Sequence, residues 1–219
     1  MMKRWITLAA AVLGSVAVHA ADGTVHVANA ELLAALQNPK AALTTARTPL
    51  AFDNGASAKN CLDYSELLAK AQPVESTRNF EIRSEYLLCD SLRQVGGRPF
   101  VAEKAAAAAS QAKALYQQLD LRSFPSSLHN RADAGKHSLK ALLPGAPRFE
   151  GNAVQVDAPD QFFRLEVVGL IDNGKGRKQD LLVWVTDELK NGTYRGYASM
   201  VVHPPHTATG SYTAVTVSR

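Results

Sequence analysis

The stretch from Gln161 to Val202 constrains the fold more than any other part of the chain. It contains three apolar runs rich in Val, Leu, Ile, Phe and Trp, which are separated by the Gly-rich segment DNGKGRKQ and by the turn KNGTYRGY. Asn-Gly turns between apolar runs are typical of antiparallel hairpins. The pattern therefore predicts an antiparallel meander. Its predicted strands cover 153–156, 162–171, 181–187, 194–203 and 212–217.

Both faces of this predicted sheet carry large apolar side chains. Strict alternation along the first long run places Phe163, Leu165, Val167 and Ile171 on one face, and Phe162, Arg164, Glu166, Val168 and Leu170 on the other. A sheet of this kind must be covered on one side and partly on the other. The N-terminal half, which is predicted to be helical, is the expected cover.

The expected fold class is α+β. A helical region over 21–147, beginning with a polar lead-in at 21–27, is expected to pack on an antiparallel β region over 148–219. The mature chain is long enough to bury one good core or two small ones. Of these two possibilities, we expect the helical and β regions to form one compact unit.

Local signals place the helices within the N-terminal region. Asn29 is a suitable N-cap for a first helix. Ser76 or Thr77 can begin a later helix, which ends at Gly96. Pro99 precedes the longest predicted helix, over 100–119, whose alanine run has high helix propensity.

Residues 1–20 have the three parts of a secretory signal peptide. Lys3 and Arg4 form a short positive region, the apolar core runs over 5–18, and Val-His-Ala precedes a cleavage site after Ala20. The alternative is a buried N-terminal helix. No cysteine follows the apolar core, and no later run reaches the ~18 apolar residues of a membrane span. We expect a periplasmic or secreted protein with neither a membrane span nor a lipid anchor.

The two cysteines, Cys61 and Cys89, both lie in the region predicted to be helical. An even number of cysteines in an exported chain favours a disulfide. Closing a loop of about 29 residues would stabilise the fold by roughly 3–4 kcal/mol. A metal pair and a redox pair are the alternatives, but a CxxC spacing and a nearby histidine are both absent. The sequence predicts a Cys61–Cys89 disulfide.

The charge balance argues against a nucleic-acid partner. The formal net charge is +4, and it falls to +2 without residues 1–20, which carry Lys3 and Arg4 and no acid. Nucleic-acid-binding domains are usually far more basic, with the positive charge gathered on one face.

The chain lacks the common signatures of catalytic and cofactor sites: GxSxG, HExxH, GxGxxG, the P-loop and CxxC. Ser110 and Lys113 match the SxxK pair of penicillin-recognising enzymes, but the partner motifs of that pair are missing. His203 and His206 supply two imidazoles, whereas a zinc site needs three or four ligands. The adjacent acids at 187–188 lie beside a turn and are expected to be solvated. No catalytic residue, metal or cofactor is therefore expected.

The loop between the first two long strands, from Asp172 to Asp180, invites comparison with a calcium loop. The positions that ligand spacing assigns are Asp172, Gly174, Gly176 and Asp180. Two of the four are glycines without a side-chain oxygen. Three positive side chains lie in the same loop: Lys175, Arg177 and Lys178. We expect that calcium does not order this loop.

The segment GLIDNGKGRKQDLLVWVTD resembles the pattern D-x-NGDG-x-x-DLLV of a poorly characterised set of bacterial exported proteins. The matching residues are Asp172, Asn173, Gly174, Gly176, Asp180, Leu181, Leu182 and Val183. The run LDLRSFPSSL is similar to a segment further upstream in the same set. Lys175 departs from the pattern, which prefers Asp there, and this argues further against a metal. The resemblance implies an exported protein of the same shape and carries no reaction with it.

Two classes of function fit these observations. The first is an exported non-catalytic protein that binds another exported protein, as periplasmic immunity proteins and inhibitors do. Its candidate contact residues lie in the two hairpin loops and include Tyr and Arg, the residue types that dominate binding hot spots. They are Tyr194, Arg195, Tyr197, Asp172, Lys175 and Arg177. These residues could also be ordinary parts of a twisted hairpin.

The second class is a periplasmic hydrolase or metal-dependent enzyme with an unrecognised site. A pocket with a hydrogen-bonded nucleophile and base, or with three convergent metal ligands, would favour an enzyme.

Overall fold

The structure is a computed structural model that describes residues 23–143, 145–174, 178–207 and 209–215. The predicted signal peptide lies outside the described residues. So do Lys175 and Arg177 of the predicted contact set. Within the described residues the fold is α+β, as predicted, with helices on both faces of a large sheet.

The strands follow the predicted meander, and three further strands extend the main sheet. Their bounds are β1 (Thr24–Val27), β2 (Leu50–Ala51), β3 (Ser57–Ala58), β4 (Phe100–Ala102), β5 (Arg148–Glu150), β6 (Ala153–Asp157), β7 (Gln161–Asp172), β8 (Asp180–Leu189), β9 (Arg195–His203) and β10 (Thr213–Val215). β2 and β3 form a separate hairpin. The main sheet has the order β10-β9-β8-β7-β1-β4, and β6 pairs with both β5 and β7. The three further strands, β1, β4 and β5, therefore extend the main sheet on the β7 side.

The described helices are mostly short, and five of the seven begin at an Asn or Ser that caps the first turn. Their bounds are α1 (Ala30–Gln37), α2 (Pro39–Thr44), α3 (Cys61–Leu68), α4 (Thr77–Ile82), α5 (Leu87–Val95), α6 (Ala105–Gln118) and α7 (Leu139–Leu142). Asn29 caps α1 as predicted, since its Oδ1 accepts from the N–H of Leu32 at 3.0 Å. Ser76 caps α4 in the same way, and Gly96 ends α5 with a φ of 58°.

Two strands of the main sheet come from the region expected to be helical. Val25 and Val27 of β1 are buried and pair with the end of β7, so 24–27 is more than a polar lead-in. β4 begins directly after Pro99, where the sequence predicted the start of a helix, and it pairs in parallel with β1. Tertiary pairing overrides the local helix signal there, and α6 begins only at Ala105.

A β-bulge in β7 changes which face its last residues occupy. The pairing of β7 with β8 shifts register between Val167 and Gly169. Leu170 therefore packs on the α6 side of the sheet and Ile171 on the α1 side. Strict alternation predicted the opposite for these two residues and was wrong, because a bulge inserts one extra residue into the pleat.

Three apolar clusters fill the spaces around the sheet. The cluster on the α6 side joins the sheet to the alanine-rich helix through Ala108, Ala112, Leu115, Phe163, Leu165 and Val183. The cluster on the other side lies under α1 and α5 and includes Val25, Leu32, Leu88, Ile171 and Leu182. The third cluster surrounds the β2–β3 hairpin and includes Phe52, Tyr64 and Tyr86.

The predicted disulfide is confirmed. Cys61, the first residue of α3, is bonded to Cys89 in α5, and their Cα atoms are 5.1 Å apart. Both cysteines are buried in the third cluster. The bond therefore fixes the β2–α3 part of the chain to the helix that covers the sheet.

Among the described residues, no helix combines the length and the apolar character that crossing a bilayer requires.

Candidate functional site

The predicted contact residues divide between the two ends of the sheet. Asp172 is the last residue of β7, whereas Arg195 is the first residue of β9. The strand between them, β8, has 10 residues, and at about 3.3 Å per residue its ends lie roughly 30 Å apart. The structure therefore does not bring the two loops together into one site.

At the Asp172 end, internal partners occupy the polar groups. Asp172 accepts the N–H of Gly174 through Oδ1 at 2.8 Å. Asp180 accepts from Asn173 Nδ2 at 2.6 Å and contacts His203 Nδ1 at 2.7 Å. The described residues contain no group of three metal-ligating side chains, here or elsewhere. Lys175 and Arg177 of this loop lie outside the described residues.

At the other end, Tyr194 faces the α6 side of the sheet. Its hydroxyl contacts Asp187 Oδ2 at 3.3 Å, and its ring lies against Gly196, where an added Cβ would be 2.7 Å from the hydroxyl. Burial, and then the Asp187 charge, raise the pKa of Tyr194 to about 12. Tyr194 therefore helps to hold the turn in place.

Arg195 and Tyr197 lie on the opposite face. Arg195 Nη1 donates to the carbonyls of Leu189 and Tyr194 at 2.7 and 2.9 Å, which closes the turn. The Tyr197 hydroxyl donates to Glu188 Oε1 at 2.5 Å. Burial, and then this hydrogen bond, raise the pKa of Tyr197.

These two residues belong to a part of the sheet that the α1 and α5 cluster leaves accessible. Coverage by α5 reaches Trp184, whose Nε1 donates to Ser91 Oγ at 2.6 Å. Beyond Trp184, cross-strand pairing sets side chains in two rows on the same face. We call this surface the open face: Gln155, Asp157, Phe162, Arg164, Thr186, Glu188, Arg195 and Tyr197.

Each of the two rows of the open face contains one aromatic ring, and the charged side chains near these rings are paired with one another. Arg164 lies 3.1 Å from Glu166 and 3.8 Å from Glu150. Glu188 lies 3.8 Å from Arg195, and Asp157 lies 2.5 Å from Lys190. All eight members are half-buried except Asp157, which is exposed. The arrangement presents a near-neutral surface with little net charge to attract or repel a partner.

The sequence predicted only two residues of this surface as contact residues, Arg195 and Tyr197. Phe162, Arg164 and Thr186 lie in strands whose register across the sheet cannot be read from one strand alone. The available signal was the alternation of polar and aromatic residues within the first two long runs. That signal indicates that one face of each strand is accessible, but it does not show which side chains of the adjacent strands share that face.

A buried polar cluster lies behind the same end of the sheet. Asp187 is 2% exposed, so the prediction that it is solvated was wrong. Its carboxylate accepts the N–H and Oγ–H of Ser127 at 2.6 and 2.7 Å, and Gln161 Nε2 at 2.9 Å. Together with Tyr194, these bonds fasten the loop after α6 to β8.

One serine and one histidine form the kind of contact that an enzyme would need. Ser211 lines a cleft of about 380 Å³ beside His203 and His206. The Ser211 Oγ lies 3.1 Å from His137 Nε2, while His137 Nδ1 is buried without a partner in the described part of the chain.

The tautomer of His137 decides what this contact can do. Buried N–H groups without acceptors are rarer than buried acceptors without donors. The hydrogen therefore belongs on Nε2, where it donates to Ser211. A histidine that donates to a serine does not act as its general base, and no carboxylate among the described residues is hydrogen-bonded to Nδ1 of the ring. Ser110 and Lys113, the SxxK pair, are both exposed on α6.

The chain matches no protein-family model, no curated protein and no solved structure. Its function must therefore be inferred from its own geometry.

Proposed function

We propose that this is an exported, non-catalytic protein that binds another exported protein through the open face. The observation that carries the proposal is the open face itself. One half of that side of the sheet is packed under helices, and the other half leaves four large side chains partly exposed: Phe162, Tyr197, Arg164 and Arg195. Tyr and Arg are enriched among residues that dominate binding energy.

The internal pairing of its charges suits such a surface. Charges that already have partners, such as Arg164 with Glu166, can be covered by another protein without leaving an uncompensated charge. A typical interface buries about 800 Å² per partner, which is more than two rows of side chains provide. The partner is therefore expected to contact β5 and the β8–β9 turn as well.

Export is the second part of the proposal. It rests on the signal-peptide pattern of residues 1–20 and is supported by the Cys61–Cys89 disulfide, since such bonds persist in oxidising compartments. We expect the exported protein to begin at Ala21. Its intact mass measures this, and a chain that still carries its first twenty residues would contradict it.

Affinity measurements on variants test the binding surface. Tyr197→Ala and Phe162→Ala should each weaken binding by about 2 kcal/mol, or roughly thirtyfold in Kd. Ser110→Ala, on the exposed side of α6, is the control and should bind normally. From the sequence alone, Tyr194→Ala should weaken binding to the same extent and leave stability unchanged. Because the structure places the Tyr194 hydroxyl against Asp187, we expect Tyr194→Ala to lower stability.

A further inference from the structure

We propose that the cleft formed by the loop after α6 binds a carboxylate. The cleft has a volume of about 370 Å³ and is lined by Arg122, Ser123, Phe124, Pro125, Ser126, His129 and Asn130. That volume is sufficient for a small organic acid or for an acidic side chain. The site lies apart from the open face and does not rest on the proposed function.

The loop that forms the cleft is held firmly in place. Phe124 and Leu128 are anchored in the core, and Ser127 is bonded to the buried carboxylate of Asp187. His129 Nδ1 lies 3.1 Å from the carbonyl of Phe124, which can only accept, so Nδ1 is the donor and the ring is fixed. A preorganised loop lowers the cost of ordering when a ligand binds.

Ser126 supplies the second observation. Its Oγ is buried and has no hydrogen-bond partner in the described part of the chain, whereas the Oγ of the adjacent Ser127 has two. Buried hydroxyls without partners are uncommon in native proteins and call for an explanation. Because Ser126 lines the cleft, rotation about its χ1 angle would bring this buried hydroxyl to a ligand oxygen, which would accept its hydrogen bond.

The polar groups around the cleft are suited to an anion. None of its described lining residues is acidic. Asp120, beside the cleft, is held in a bidentate pair by Nε and Nη2 of Arg122 at 2.9 and 2.7 Å. Nη1 of the same guanidinium has no acceptor among the described residues, and Asn130 adds an exposed amide. A planar carboxylate matches a guanidinium edge with a hydroxyl nearby.

Titration of the isotopically labelled mature chain with sodium glutarate, at constant ionic strength, tests the site. Backbone amide signals of Arg122, Ser126, His129 and Asn130 should shift and saturate. Ser126→Ala and Arg122→Gln should each weaken binding by roughly tenfold, the effect of one charge-assisted hydrogen bond. Lys113→Gln, which removes an exposed positive charge on α6, is the control for Arg122→Gln.

Stability provides an independent readout for the two adjacent serines. Ser126→Ala removes an unsatisfied hydroxyl and should leave the melting temperature unchanged or raised, whereas Ser127→Ala should lower it. Absence of saturable shifts, wild-type binding by both cleft variants, or a clear loss of stability in Ser126→Ala would overturn the proposal.

A second titration identifies the source of the carboxylate. The probe is a short amidated peptide with one Glu, compared with the same peptide carrying Gln. Binding of glutarate and of the Glu peptide supports recognition of an acidic side chain on another protein, and binding of glutarate alone supports a small organic acid. Equal binding of both peptides would contradict a carboxylate site. Thr186→Arg alters the open face and leaves the cleft unchanged. If this variant still binds glutarate, the cleft and the open face are separate sites.

Discussion

At the scale of single residues, Asp187 decides the structure around the open face. A buried carboxylate is unfavourable unless its oxygens are fully hydrogen-bonded. Asp187 meets this requirement through Ser127, Gln161 and Tyr194. Sequence alone cannot show this, because Ser127 is 60 positions away and an acid next to a turn is normally solvated.

Asp187→Ala should destabilise the protein strongly. The substitution leaves the N–H and hydroxyl of Ser127 and the amide of Gln161 buried without their acceptor, which should cost about 2–4 kcal/mol. Denaturant unfolding measures the loss. Asp157→Ala, which removes an exposed acid near the same end of the sheet, should leave the unfolding midpoint nearly unchanged. Equal effects of the two substitutions would show that the cluster does not stabilise the fold.

At the scale of elements, local signals were predictable and long-range pairing was not. Asn29 and Ser76 cap helices where their sequence context places them, and the meander strands lie where apolar runs alternate with Asn-Gly turns. β1 and β4 were missed because these short strands form only by pairing with distant parts of the chain, β1 with β7 and β4 with β1. The bulge near Val168 was missed because alternation alone gives no sign of an inserted residue.

Gly196→Ala should loosen the β8–β9 turn. Its Cβ would lie 2.7 Å from the Tyr194 hydroxyl and would push the ring away from Asp187. Overpacking of this kind costs about 1–3 kcal/mol. Gly192→Ala is the matched control in the same turn, since nothing lies within 4 Å of its added Cβ. Thermal unfolding should separate the two variants, and a normal melting temperature for Gly196→Ala would contradict the packing described here.

At the scale of the whole molecule, the tyrosines report on the burial that holds the fold together. Burial is the largest cause that raises the pKa of all six, and Tyr194 reaches about 12. A raised pKa in the folded state stabilises the fold fully below the unfolded value of about 10. This stabilisation is lost as the pH rises through the folded-state values.

Alkaline titration should therefore show delayed phenolate formation. In the folded protein, the ultraviolet absorbance of phenolate should appear at a higher pH than the value near 10 at which unfolded tyrosine ionises, and Tyr194 should ionise at about pH 12. Circular dichroism should show loss of structure over the same range. The denatured chain is the control and should titrate near its ordinary value. Full ionisation of the folded protein around pH 10 would show that the tyrosines are not buried as described.

The open face was only partly predictable at this scale. Tyr197 and Arg195 stand out because they flank an Asn-Gly turn. Phe162 and Thr186 become their neighbours only through the register of three strands, and the helices that cover the other half of the face come from distant sequence. A single sequence therefore indicated two of the proposed contact residues but not the surface.

Capture from an extract of exported proteins tests directly whether the open face binds another protein. The mature chain, Thr186→Arg and Ser110→Arg are each used as bait, after equal melting temperatures have been verified. Thr186→Arg places a bulky charge between Arg164 and Tyr197, whereas Ser110→Arg places the same charge on the exposed side of α6. If the open face is the binding surface, one protein should be captured by the wild type and by Ser110→Arg but lost with Thr186→Arg. Equal capture by all three baits would contradict binding through the open face.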